Sequence, residues 1–155
     1  AVIHYSIVEG DKLKLTVAPK GGGSENMSRI AMLKPSDGIG GIKKFVVDTV
    51  VKAGGNPCPP IIIGLGVGGN FETCALLAKK ALMRPLNSSN ANPNWADVED
   101  KLLELINETD VGPQGLGGDS TALKVLIETM PCHIASLPVA INIQCHSHRH
   151  KSIVL

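Results

Sequence analysis

The residues best equipped for chemistry lie in Asn56-Pro57-Cys58-Pro59-Pro60, a cysteine fenced by prolines ahead of the apolar run Ile61-Ile62-Ile63. Proline fixes its own φ, lacks an N–H and biases the residue before it toward extended backbone. Cys58 therefore sits on stiff, non-helical chain, a thiol held in place. Just beyond, Gly64-Leu65-Gly66-Val67-Gly68-Gly69 lets the main chain approach a neighbour closely and present N–H groups. A positioned thiol beside an anion-friendly loop is one reading. A small buried hydrophobe at a strand start, followed by a tight turn, is the plainer one.

Other residues carry weaker signals. Gly21-Gly22-Gly23 is either a flexible linker or a backbone site for an anion. Gly64-x-Gly66-x-x-Gly69 matches the letter of a dinucleotide fingerprint, but the helix after it runs into a polar loop rather than a second strand ending in an acid, so that reading fails on context. His146, His148 and His150 alternate, and on a strand they would share one face and could hold zinc, although a solvated strand end is simpler. His133, after Pro131-Cys132, is placed more like the lip of a site than a core residue. Cys58 and Cys145 each lie at the end of an apolar run. Widely spaced thiolates can wrap an iron–sulfur cluster, and two of them could form part of a three-cysteine site with one iron left open.

The elements that must position these residues follow from periodicity. Val2–Val8 and Lys12–Ala18 flank Glu9-Gly10-Asp11 and read as a β-hairpin. Met27–Leu33 is a short extended segment. Pro35-Ser36-Asp37 starts a helix with Ile39, Ile42, Val46 and Val50 on one face, closed by Gly54-Gly55. A strand follows Cys58, and Asn70 caps a helix through about Met83. After a loop at 84–93 comes an amphipathic helix over 94–109, with Val98, Leu102, Leu105 and Ile106 inward. A second glycine-dense loop, 110–119, leads to strands at 121–129 and 137–144, both read as alternating. The expected fold class is mixed α/β (α+β), a mixed or antiparallel sheet with helices packed on it.

Bulk composition excludes several classes. With 15 Lys and Arg against 14 Asp and Glu, scattered, no basic face calls for nucleic acid or an anionic membrane. Aromatics are 3% of residues, so stacking platforms for single strands are missing too. No apolar run reaches the ~18 residues of a spanning helix, and the first residues lack the basic region and cleavage site of a signal peptide. Four cysteines without close spacing do not form a disulfide framework, and a reducing, cytoplasmic setting is expected.

Four motifs in order, Lys20-Gly21-Gly22-Gly23-Ser24-Glu25-Asn26, Cys58-Pro59-Pro60, Gly112-Pro113-Gln114-Gly115-Leu116-Gly117-Gly118 and His133-Ile134-Ala135-Ser136-Leu137-Pro138-Val139 through Cys145, resemble the iron–sulfur-dependent class I fumarate hydratases. The α-subunit of L-tartrate dehydratase belongs to the same group. The resemblance covers essentially the whole chain and implies a [4Fe–4S] cluster held by three cysteines, its unliganded iron acting as a Lewis acid. It assigns Cys58 and Cys145 as two cluster ligands, His133 as a catalytic, substrate-contacting residue, and Gly22 within Gly21–Gly23 as a backbone donor to a substrate carboxylate. Cys74 and Cys132 match no ligand. The third cysteine belongs to a Cys-Gln-Asp segment that these residues do not contain, and further arginines and the base belong to a β-subunit or β domain. The expectation is therefore a single domain over 1–155, a fragment of a hydro-lyase α-subunit, inactive alone and working in a dimer of αβ units. A dicarboxylate is the expected substrate, fumarate/malate first and tartrate second. A non-catalytic metal-binding module built on His146, His148 and His150 is the rival from another class.

Overall fold

The computed structural model describes residues 2–155. In chain order the elements are strand β1 (Lys14–Val17), helix α1 (Gly22–Asn26), β2 (Arg29–Leu33), α2 (Gly38–Ala53), β3 (Ile61–Gly68), α3 (Phe71–Ala81), α4 (Pro93–Asn107), β4 (Ala122–Met130), β5 (Leu137–Gln144) and β6 (Lys151–Val154). β2, β5, β3 and β4 form one sheet in that order, and β1 and β6 pair separately. β3 runs parallel to β4 and antiparallel to β5, and β2 is antiparallel to β5. The sheet is mixed and carries helices on both faces, as the α+β reading anticipated.

β3 is central because its residues satisfy two layers at once. Ile61, Ile63, Leu65 and Val67 pack with α2 and α4 through Ile42, Phe45, Val46, Val50, Leu102 and Ile106. Ile62 faces the other way, onto Ala81 and Leu82. Burying each isoleucine of this run contributes up to roughly 1.5–3 kcal/mol. On the α3 side, Gly64 and Gly66 allow the helix backbone to come so close that a Cβ would overlap the Ala78 and Cys74 carbonyls. The glycines of this stretch serve packing. Because both faces are covered, β4 and β5 are not half-buried: Val125, Leu126 and Ile127 are consecutively buried, and β5 is buried from Pro138 to Gln144.

The helix boundaries agree with the capping signals. Asn70 Oδ1 accepts from the N–H groups of Glu72 (3.0 Å) and Thr73 (2.9 Å), and Thr73 Oγ1 accepts from Asn70 N–H at 2.7 Å. Gly54 ends α2 at φ +51°. Of the expected inward positions, Ile39 and Leu105 lie instead at partly open helix edges, 41% and 37% exposed. Among the described residues, no helix is long and apolar enough to cross a membrane.

Three expectations are corrected. Val2–Val8 forms no strand, and β1 pairs with β6 in the register Leu15↔Ile153, so the hairpin is replaced by a long-range ribbon. Leu13 and Leu155 exchange both backbone bonds (3.1 and 2.8 Å), a pairing that no local turn signal encodes. The triple glycine is not an open linker: Gly21 is the N-cap of α1, held by Glu25 N–H to Gly21 carbonyl at 3.0 Å. Tertiary anchoring of Ser24 and Glu25 outweighs the low helix propensity of glycine. Finally, 145–150 is a turn and β6 begins only at Lys151, so His146, His148 and His150 share no strand face.

Candidate active site

Strand direction decides which candidates meet. Cys58 precedes β3, and Cys145 follows β5, whose Gln144 lies opposite Ile62 at the start of β3. Both cysteines therefore stand at the same end of the sheet. His146 closes the gap: its Nδ1–H donates to the Cys58 carbonyl at 3.0 Å. Cys58 is exposed rather than a buried hydrophobe, and its φ of +57° puts it in the left-handed region. Such a conformation in a non-glycine residue persists only where the surroundings impose it.

The glycine segment arrives at this end as well. Gln144 Nε2 donates to the Pro19 carbonyl at 3.2 Å, and Lys20 Nζ donates to the carbonyl of Ile143. Gly23 lies beside the Asn56 carbonyl, 3.6 Å from where its Cβ would be. A cavity of about 220 Å³ is lined by Pro19, Lys20, Gly21, Gln144, Cys145, Ser147 and Arg149. It combines a thiol, two cations and glycine backbone, a donor set suited to a small anionic ligand.

Lys20 is a residue that sequence reasoning missed. Burial lowers its pKa, opposed by its hydrogen bond and ion pair with Glu25 at 3.2 Å. Burial would raise Glu25, but donors from Lys79 (2.5 Å), Asn142 (2.7 Å) and Lys20 outweigh it and hold the carboxyl at about 2. Glu25 thus stays ionised and ties α1, α3 and β5 together. The available signal was a lysine directly before the glycines and a glutamate five residues on, which is too little to define a pair without the fold. Behind Cys145, Gln144 Oε1 is buried without a partner, as are both ring nitrogens of His148. Burial, then the neighbouring His150 and Lys20, lowers the His148 pKa.

His133 is not brought in. It lies between the end of β4, where Met130 is opposite Gly68, and the start of β5. The seven steps of β5 alone span about 24 Å at ~3.4 Å per residue, and His133 and Cys145 flank its opposite ends. There His133 Nδ1 accepts from Ala135 N–H at 3.1 Å, which leaves the proton of the neutral ring on exposed Nε2. Cys132 shares that end, and Cys74 is buried in α3 among Ala78 and Ala140. All four cysteines are free thiols. Among the described residues no group of three or more His, Cys, Asp and Glu could hold a metal ion.

The second glycine loop, which the sequence left without a role, packs on the Cys58 turn. Gln114 donates to the Pro59 carbonyl through both its backbone N (2.9 Å) and its Nε2 (3.1 Å).

A sequence profile described as "Fumarate hydratase (Fumerase)" matches residues 1–154. The chain belongs to the class I fumarate hydratase / L-tartrate dehydratase α-subunit family. It is 53% identical over 138 residues to a putative L(+)-tartrate dehydratase subunit alpha of Methanocaldococcus jannaschii, covering 89% of this chain and 48% of that protein. It is 36% identical over 154 residues to the L(+)-tartrate dehydratase subunit alpha of Escherichia coli O157:H7, covering 99% and 51%. The corresponding subunit of Escherichia coli K12 is 36% identical over 149 residues, covering 96% and 49%. The chain spans about half the length of these curated relatives. Lys20–Asn26, Cys58–Pro60 and Cys145 are segments distant in the sequence that the fold collects at one sheet end.

Proposed function

We propose that this chain forms part of the α-subunit of an iron–sulfur hydro-lyase that removes water from L(+)-tartrate. The observation that carries the reading is the convergence of Cys58 and Cys145 on one sheet end, beside a cavity carrying Lys20, Gly21 and Arg149. The expectation of fumarate gives way to tartrate because the relatives described above are named as tartrate dehydratase α-subunits. Fumarate/malate stays as the second reading, favoured by the description of the matching family profile.

The residues present fit two positions of a three-cysteine [4Fe–4S] cluster. Both thiols are free and Cys58 faces solvent. Cys58 and Cys145 would hold the cluster, and a third thiolate must come from outside these residues, since Cys74 is buried in α3 and Cys132 lies at the far end. When bound, such a cluster supplies a Lewis acid for a leaving hydroxyl. Lys20 and Arg149 bring positive charge for a carboxylate to the cavity, and Gly21, with Gly22 and Gly23 opening α1 directly after it, offers backbone N–H donors. Dehydration breaks a C–H and a C–O bond on adjacent carbons. The base that accepts the carbon's proton is supplied by the partner β-subunit.

His133 keeps a substrate-contacting role in this reading only from a second copy of the chain. Its own cysteines stand at the opposite end of β5, a strand about 24 Å long, so an assembly of αβ units facing one another is required. Four free thiols support a reducing, cytoplasmic setting.

The test is anaerobic reconstitution of the intact α-subunit with its partner, followed by turnover of L(+)-tartrate and of fumarate. Faster formation of a 2-oxo acid from tartrate supports the reading. Cys58→Ser or Cys145→Ser enzyme that retains a full iron complement refutes the ligand assignment.

A further inference from the structure

The Cys58 turn is held at three backbone points, one local and two by residues far away in sequence. Cys58 N–H donates to the Gly55 carbonyl at 3.0 Å, and the Cys58 carbonyl accepts from His146 Nδ1 at 3.0 Å. The Pro59 carbonyl accepts twice from Gln114, 2.9 and 3.1 Å. Gln114 is itself at φ +56°, so two non-glycine residues in the left-handed region face each other across this contact. The contact is possible because Gly55 and Gly115 meet: a Cβ at Gly55 would lie 2.7 Å from the Gln114 carbonyl, and one at Gly115 2.6 Å from the Gly55 Cα. The far side of the loop is fastened too, by Gly112 N–H to Thr121 Oγ1 at 3.0 Å and Gly118 N–H to Asp110 Oδ1 at 2.7 Å.

We infer that Gln114 and His146 are positioning residues that hold the Cys58 thiol in its ligand orientation before any cluster is present. The inference rests on the reading of Cys58 as a cluster ligand. A strained residue fixed at its own N–H and carbonyl and at the carbonyl of the next residue has a preset side-chain direction, and a ligand that need not be reoriented releases its metal more slowly. The two arms have different origins. Gln114 comes from the loop that leads into β4, and His146 follows Cys145, so the same histidine couples the two proposed ligands through the Cys58 backbone.

The experiment loads the intact protein with ferrous iron and sulfide anaerobically and follows loss of cluster absorbance under a chelator. Gln114→Gly keeps the backbone donor and suits the positive φ, so its thermal midpoint is no lower than the parent's, yet absorbance decays about fivefold faster, the worth of one ordinary hydrogen bond. Gln114→Met removes only the amide donor, shows the same acceleration, and decides the matter should the glycine variant misfold. His146→Ala accelerates decay likewise, and His146→Asn, whose amide N–H can occupy the place of Nδ1, returns it to the parent rate. An asparagine variant that decays like the alanine variant removes His146 from the clamp. Cys58→Ser separates the two levels: full cluster uptake in that variant sinks the ligand reading and the inference with it. No uptake there, combined with parent-like decay in both Gln114 variants, leaves the ligand reading standing and overturns the clamp.

Discussion

Neutralising Glu25 by Glu25→Gln should cost about 1–2 kcal/mol of stability at neutral pH. Three donors, Lys79, Asn142 and Lys20, converge on this carboxylate at 2.5, 2.7 and 3.2 Å and bring it from an ordinary 4.5 to about 2. At 1.36 kcal/mol per pH unit such a drop corresponds to roughly 3 kcal/mol. The side chain is 40% exposed, so solvent screening reduces the figure to about 1–2. The sign follows from the depressed folded-state value: the contribution is complete above about 4.5, declines as the pH falls, and is gone once the pH passes below about 2. Urea unfolding of parent and variant at a series of pH values measures the gap directly. It should be largest near neutrality and close through that acid window. A gap that stays constant down to about pH 2 would show that Glu25→Gln acts through packing and would refute the electrostatic account.

Other perturbations test separate layers. Gly66→Ala forces a methyl into the Cys74 carbonyl and the Ala78 backbone nitrogen, neither of which can swing aside, so about 3 kcal/mol or more should be lost in chemical denaturation. Glu99→Ala strips Arg84 Nη1 (2.7 Å) and the Ile127 N–H (2.7 Å) of their buried acceptor, and a loss of about 3–5 kcal/mol is expected by the same measurement. Lys20→Met should raise KM for the dicarboxylate about tenfold or more with a smaller change in kcat, read in steady-state assays of the assembled enzyme. Cys74→Ser should lower the thermal midpoint while leaving iron content unchanged, since its thiol is buried between α3 and Ala140 of β5 rather than facing the cavity.

Much of the scaffold was legible in the chain because its signals are local. Asn70 before an apolar helical pattern, Gly54 after one, and Ile61-Ile62-Ile63 between turn residues each act within a few positions, and each element appears where those signals put it. The failures share a cause. β1 looked for its partner across Glu9-Gly10-Asp11 and found it in Lys151–Val154, because strand pairing is a long-range choice that a glycine loop can permit but not enforce. The three histidines kept their spacing and lost their common face once Cys145–His150 turned back on Cys58.

For the candidate site, the sequence by itself determined the parts: a proline-fenced thiol at Cys58, a second thiol at Cys145, the glycines at 21–23 and a histidine at 133, whose order also carried the family resemblance. The tertiary structure decided which of them can work together. Antiparallel pairing of β3 and β5 sets the start of one strand beside the end of the other, which unites Cys58 with Cys145. The same pairing sends His133, at the other end of β5, out of reach. Residue type and spacing specify what a group can do. Strand direction, which is settled only when distant segments bury their apolar faces together, specifies where it does it.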